Sequence, residues 1–115
     1  MNNVVEKIRQ FLQNGNYAFT ENEKDGKHIF ILKDIHDSTF YVNVWKKENG
    51  YKLLIEEIYP SCKRSILKSI GDKYCSTHGN YEIGTYDLVG ADTIVSEIEK
   101  TFKSKEKWCG NFVKI

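Results

Sequence analysis

The segment TFYVNVWKKENGYKLLIEEIY, residues 39–59, decides the fold. Two runs rich in β-branched and aromatic residues flank Asn49-Gly50. Asn-Gly suits a two-residue type I′ turn, in which both residues take positive φ. The spacing predicts a β-hairpin with strands over 39–47 and 51–59. With Asn49 and Gly50 as the turn, Glu48 pairs with Tyr51, Trp45 with Leu54, Val44 with Ile55 and Asn43 with Glu56. Successive strand residues point to opposite faces. One face then holds Phe40, Val42, Val44, Leu53, Ile55 and Tyr59, and it reads as core. The other holds Tyr41, Asn43, Trp45, Leu54, Glu56 and Ile58. It is apolar enough to want cover and polar enough to tolerate water.

Toward the N-terminus, Val4, Val5, Ile8, Phe11 and Leu12 recur at helical spacing, and Gly15 stops the pattern. Asn3 and Glu6 are spaced as a capping-box variant. A strand begins at Tyr17-Ala18-Phe19, Asp25-Gly26 is a turn pair, and a second strand covers 28–33. The run Ile29-Phe30-Ile31-Leu32 makes it apolar on both faces, as a central strand should be.

Toward the C-terminus, Pro60-Ser61 introduces a predicted middle helix in which Cys62, Ile66, Leu67, Ile70 and Tyr74 share a face and Gly71 ends the element. A fifth strand is predicted over 81–89. A C-terminal helix is predicted over 91–103, with Ile94, Val95, Ile98 and Phe102 inward, Asp92 near its start and Lys100, Lys103 and Lys105 near its end. Trp108, Phe112, Val113 and Ile115 suggest a tail that packs down. The expected fold is a single α+β domain over 1–115: a mainly antiparallel four- to five-stranded sheet with an N-terminal, a middle and a C-terminal helix.

Bulk properties restrict the function classes. A chain of 115 residues with 40% hydrophobic and 13% aromatic content supports one globular core and is unlike a disordered chain. The formal charge of +1 provides no strong field to draw in nucleic acid or an anionic membrane. Locally, 60–80 sets Lys63, Arg64, Lys68 and Lys73 against Asp72, a net +3. Residues 34–59 set five acids against three lysines, a net −2. The opening MNNVVEKIRQF lacks the apolar run of a secretory signal, and no stretch has the length of a membrane span. Three scattered cysteines favour free thiols. These features lead us to expect a cytoplasmic protein.

Chemistry-bearing residues are few. KYCSTHGNYE, residues 73–82, sets Cys75 three positions from His78. A zinc set would combine them with Cys62 and Cys109, but structural zinc takes two tight ligand pairs and neither of those cysteines has a near neighbour. A Cys–His nucleophile needs a lowered thiol pKa and an orienting third group. The stretch is expected to end the middle helix and turn at Gly79 into a strand. Asp34, His36 and Asp37 in DIHD resemble hard-metal ligands, yet such loop carboxylates more often bond their own backbone. GADT, residues 90–93, opens a helix, but Asp92 opposes an anion there. No phosphate loop, nucleophile elbow or dinucleotide fingerprint occurs. No metal and no cofactor is expected.

The expectation is therefore a small protein-binding protein without enzymatic activity that blocks or neutralises a partner protein. It would act through Tyr41, Trp45, Leu54, Glu56 and Ile58 and an acid-rich hairpin. In size and character it is like toxin-immunity proteins and phage-encoded inhibitors of host defence, an analogy that names no family. The alternative is a nucleic-acid-binding module using Lys63, Arg64, Lys68 and Lys73 on the middle helix. A metal or thiol enzyme at Cys75 and His78 ranks third.

Overall fold

Asp25 and Gly26 have φ of 53° and 78°, the double positive φ that a type I′ turn requires. They join β1 (Phe19–Lys24) to β2 (Lys27–Lys33), with Lys24 opposite Lys27. β3 (Thr39–Lys47) and β4 (Gly50–Ile58) continue the antiparallel meander. The computed structural model describes residues 1–48, 50–59, 64–70, 73–78, 86–88 and 90–115, and between 60 and 89 only the side chain of Leu67. β5 (Arg64–Ile70) and β6 (Lys73–His78) extend the sheet beyond β4, giving the order β1-β2-β3-β4-β5-β6. β7 (Tyr86–Leu88) also pairs with β4, along Tyr51–Leu53, while β5 takes Glu56–Ile58. Helices α1 (Asn2–Asn14) and α2 (Ala91–Cys109) complete the α+β architecture. Among the described residues, no helix is long and apolar enough to cross a membrane.

The predicted hairpin forms, with a corrected register. Lys47 pairs with Gly50, Trp45 with Lys52, Val44 with Leu53, Asn43 with Leu54 and Tyr41 with Glu56. Gly50 thus belongs to β4 and not to the turn, and it enters the strand at φ 151°, which glycine adopts without a steric penalty. Each β3 residue meets a partner two positions earlier than expected. A shift of two preserves the pleat, so no side chain changes face. Phe40, Val42, Val44, Leu53 and Ile55 are all buried, as their alternation requires.

The middle helix is not present. Its residues form β5 and β6, which are paired from Ile70↔Lys73 back to Ser65↔His78. Ile66, Leu67 and Ile70 fit a helical stripe, but over so short a span they equally fit a strand of β-branched residues. The Gly71-Asp72 pair between the paired strands is itself a two-residue hairpin signal. The strand count accordingly exceeds five. Arg64, Lys68 and Lys73 lie in strands, so the basic helix offered for nucleic acid has no helical frame, and Lys63 lies outside the described residues. KYCSTH is β6, not a helix end. The predicted strand over 81–89 is described only at 86–88.

The core lies between the sheet and the two helices. Val4, Val5, Ile8 and Leu12 of α1 and Ile94, Ile98 and Phe102 of α2 meet Phe30, Leu32 and the inward residues of β3 and β4. Each fully buried large apolar side chain contributes about 1.5–3 kcal/mol. The capping box is not made: Met1 stands at the cap position with no side-chain cap bond, and the Glu6 carboxylate is taken by Arg9. Gly15 serves a close approach, because a Cβ there would lie 2.5 Å from the Tyr17 ring. Of the tail residues only Phe112 is buried; Trp108, Val113 and Ile115 are exposed.

α2 runs six residues past its predicted end, to Cys109, and this extension carries a buried cation. The stripe of Ile94, Ile98, Thr101 and Phe102 continues at helical spacing to Lys105, which is 0% exposed. Its Nζ lies 3.0 Å from Asp34 Oδ2 and donates to the Gly110 carbonyl at 2.7 Å. The Phe112 and Phe40 rings present faces at 4.6 and 5.1 Å. Asp34 Oδ1 accepts from the backbone N–H groups of His36 and Ser38, both at 2.9 Å. The DIHD loop thus folds around its first carboxylate, as loop aspartates do. From there Val113 donates to the Lys33 carbonyl and accepts from Ala18 N–H.

On the opposite side, Arg9 donates through two nitrogens to both oxygens of Glu21, and Glu21 Oε1 also accepts from His28 Nε2 at 2.7 Å. The bonds from Arg9 hold the Glu21 carboxyl below the usual glutamate range, against an opposing effect of burial.

Two expectations follow for stability. Lys105→Met should cost about 3 kcal/mol or more in urea melts, because Asp34 stays buried without its cation. Adding Asp34→Asn should recover part of that loss, and a single variant as stable as the wild type would contradict the role given to the pair. For Glu21 the folded pKa is lowered. Its contribution is present above the unfolded value of about 4.3 and is lost as pH falls through the depressed folded value. Melts across that acid range should therefore show a wild-type slope that Arg9→Gln reduces by about 1 kcal/mol or less.

Candidate outer-face recognition site

The face of the sheet opposite the helices is ordered by register. Three cross-strand rows span β2, β3 and β4: Ile31–Tyr41–Glu56, Ile29–Asn43–Leu54 and Lys27–Trp45–Lys52. Aliphatic, aromatic, amide and charged groups alternate within a few ångströms of one another. Where the β1–β2 turn stands beside these rows, Lys24, Asp25, Lys27, Ile29, Tyr41, Asn43, Glu56 and Ile58 line a groove of about 320 Å³.

Asn43 organises the floor. Its amide nitrogen donates to Glu56 Oε1 at 2.8 Å, to the Leu54 carbonyl at 3.1 Å and, more weakly, to the Tyr41 carbonyl at 3.3 Å. An amide nitrogen has two hydrogens, so at least one is shared. Asn43 and Glu56 are both buried. The carboxylate is consequently held in place rather than free to swing. At the rim, Lys27 Nζ stands 5.0 Å from the Trp45 ring centre, a cation–π contact that orients the half-buried indole.

Of the residues singled out from the sequence, Tyr41, Glu56 and Ile58 come together in the groove. Trp45 adjoins it through Lys27. Leu54 lies in the central row but is 7% exposed, which leaves it little surface to offer. The acid-rich hairpin is redistributed. Glu48 is exposed, whereas Glu56 is 3% exposed on the groove floor and Glu57, also 3% exposed, pairs with Phe40 on the core side of β4. Only Glu48 of the three can steer a partner from a distance. Asn43, Lys24, Lys27 and Ile29 join the site although only Asn43 had been placed on this face. The pairing Lys27↔Trp45 explains the lysine, and its sequence signal was the Asp25-Gly26 turn.

The thiol and metal readings fall mainly outside the described residues: Cys62 lies there entirely, as do the side chains of Cys75 and His78. Cys109 is exposed at the end of α2. Burial chiefly, then Glu57, pushes its thiol up from its ordinary value, which opposes the thiolate that nucleophile and ligand chemistry both need. Among the described residues, no three His, Cys, Asp or Glu side chains gather as metal ligands. The groove offers ammonium groups, carboxylates, an amide and aromatic faces. These groups can donate and accept hydrogen bonds, pair with charges and stack.

Compared with known proteins, the chain matches no family model, no curated protein and no solved structure.

Proposed function

We infer that the chain is a protein-binding protein without catalysis of its own, which blocks or neutralises a partner by covering part of its surface. The observation that supports this is the groove beside Tyr41 and Trp45 on the sheet face away from the helices. Aromatic groups with a polar tip anchor protein interfaces, because they bury much area with few rotatable bonds. The Asn43–Glu56 pair beneath them is already hydrogen-bonded, so binding need not order it.

Partner capture from a native lysate, with and without nuclease, separates a protein partner from one bridged by nucleic acid. Melting and affinity are then measured on one variant set. Val44→Ala and Ile55→Ala should lower stability by about 1–4 kcal/mol through lost burial and a cavity. Trp45→Ala should lower it less, while affinity for the captured partner falls by about 2 kcal/mol or more. Glu56→Lys should destabilise the fold, since it sets a buried cation against the Asn43 donor. Glu48→Lys should leave stability within about 0.5 kcal/mol and act on association rate and salt dependence. If Trp45→Ala unfolds the protein as badly as Val44→Ala, the outer face is a packing surface and the interface lies elsewhere.

A further inference from the structure

β1 pairs with β2 along its whole length on one side, and among the described residues no strand pairs with its other side. Residues 20–24 are exposed. The turn determines which backbone groups are open. A two-residue turn closes on a bond between the Lys24 carbonyl and the Lys27 N–H. Antiparallel alternation then makes Asn22/Ile29 and Thr20/Ile31 the other bonded pairs. Phe19, Glu21 and Glu23 accordingly turn their N–H and C=O groups away from β2. The C-terminal segment bonds Ala18 on the β2 side, where Val113 sits between Ala18 and Lys33, and not on this edge.

Natural edges of this kind are guarded by charged side chains, inward-pointing ones included, by proline, by bulges or by a covering segment. β1 is regular, has no proline, and carries its one lysine at the turn. Its helix-side row holds Glu21 and Glu23 instead, and Glu6 stands close by through Arg9. Glu6 and Glu21 share the Arg9 guanidinium, while His28 is bonded to Glu21 and lies 3.5 Å from Glu23. A second copy of the chain fits this edge badly. Two-fold antiparallel pairing centred on β1, with the helices on one side, sets Glu21 against Glu21 or against Glu23 of the other copy, and like charges directly opposite are destabilising.

We propose that the outer edge of β1 accepts an extended segment of a partner protein, with basic residues at alternate positions, as an added antiparallel strand. The open N–H and C=O groups of Phe19, Glu21 and Glu23 bond its backbone, and the exposed Glu23 carboxylate pairs with its cations, Glu21 being already bonded to Arg9 and His28. This site stands on the strand edge and does not depend on the outer-face groove.

The test uses the full chain and two blocked hexapeptides, one alternating Thr and Lys, the other alternating Thr and Glu. Amide shifts and hydrogen exchange are followed by NMR during titration at low salt. The lysine peptide should saturate, slow exchange at Phe19, Glu21 and Glu23, and weaken as salt rises; the glutamate peptide should not bind. Glu23 has a side chain that is 78% exposed, so Glu23→Lys keeps the fold. That variant should bind the lysine peptide about fivefold more weakly and gain affinity for the glutamate peptide. Equal binding of both peptides by the wild type would overturn the proposal. So would protection that spares those three amides, or no saturation at about 1 mM of the lysine peptide.

Discussion

The contacts of one buried ammonium group hold the closed end of the molecule together. Lys105 sits on the core side of α2 with no exposure, and its partners come from four other places in the chain. Asp34 comes from the β2–β3 connection, the Gly110 carbonyl from the turn after α2, and the Phe40 and Phe112 rings from β3 and the C-terminal segment. An ion pair out of water loses several kcal/mol per charge to desolvation, and its attraction offsets that only with good geometry and satisfied remaining bonds. Here the carboxylate has two backbone donors besides the lysine, and the ammonium has a carbonyl and two ring faces. Sliding the C-terminal segment by one residue would replace Phe112 with Val113 against the ammonium. The pair therefore selects one placement of that segment, and the placement carries Val113 between Lys33 and Ala18, where β1 and β2 diverge.

The parts of the fold that were legible in the sequence depend on parity more than on exact pairing. The Asn49-Gly50 signal located the central hairpin and assigned each of its residues to a face, although Gly50 itself lies in β4 and the partners differ by two positions. An error of one in the pairing would have turned Val42 and Val44 outward and been incompatible with burial. An error of two has no such consequence, and nothing in an alternating pattern can detect it. Asp25-Gly26 left less room for error because both residues fit the double positive φ and the strands on either side are short.

Other features were illegible for physical reasons. Seven residues, Arg64–Ile70, contain fewer than two helical turns, so a helical stripe and a strand with mixed faces share the same apolar positions there. Pairing with β4 on one side and β6 on the other overrides the local helical reading. Lys105 was hidden by its chemistry: it continues the spacing of Ile98 and Phe102, but a lysine near a helix end is ordinarily read as answering the helix dipole. Glu56 and Glu57 were hidden in a similar way, since adjacent acids on a strand must point to opposite faces and one of them had to face the core. In the candidate site, Tyr41 and Ile58 were legible from alternation alone. Lys24 and Lys27 required the β1–β2 turn to be placed beside the hairpin, which is tertiary information.

The inner and outer faces divide the work of the sheet. Inner positions of β2–β4 from Phe30 to Ile55 are almost wholly apolar and carry the burial that makes the fold stable. The outer rows are therefore free to hold an amide, a carboxylate and two lysine-bearing positions without loss of the core. The β1–β2 turn joins the two proposed surfaces, because Lys24 is at once the last residue of the open edge and a lining residue of the groove. A strand added to β1 would continue the pleat of the sheet, so every second residue of it would lie on the outer face alongside Thr20, Asn22 and Lys24. Its remaining residues would face Glu21 and Glu23. One extended segment could then be read from both sides, by charge on the helix side and by shape on the groove side.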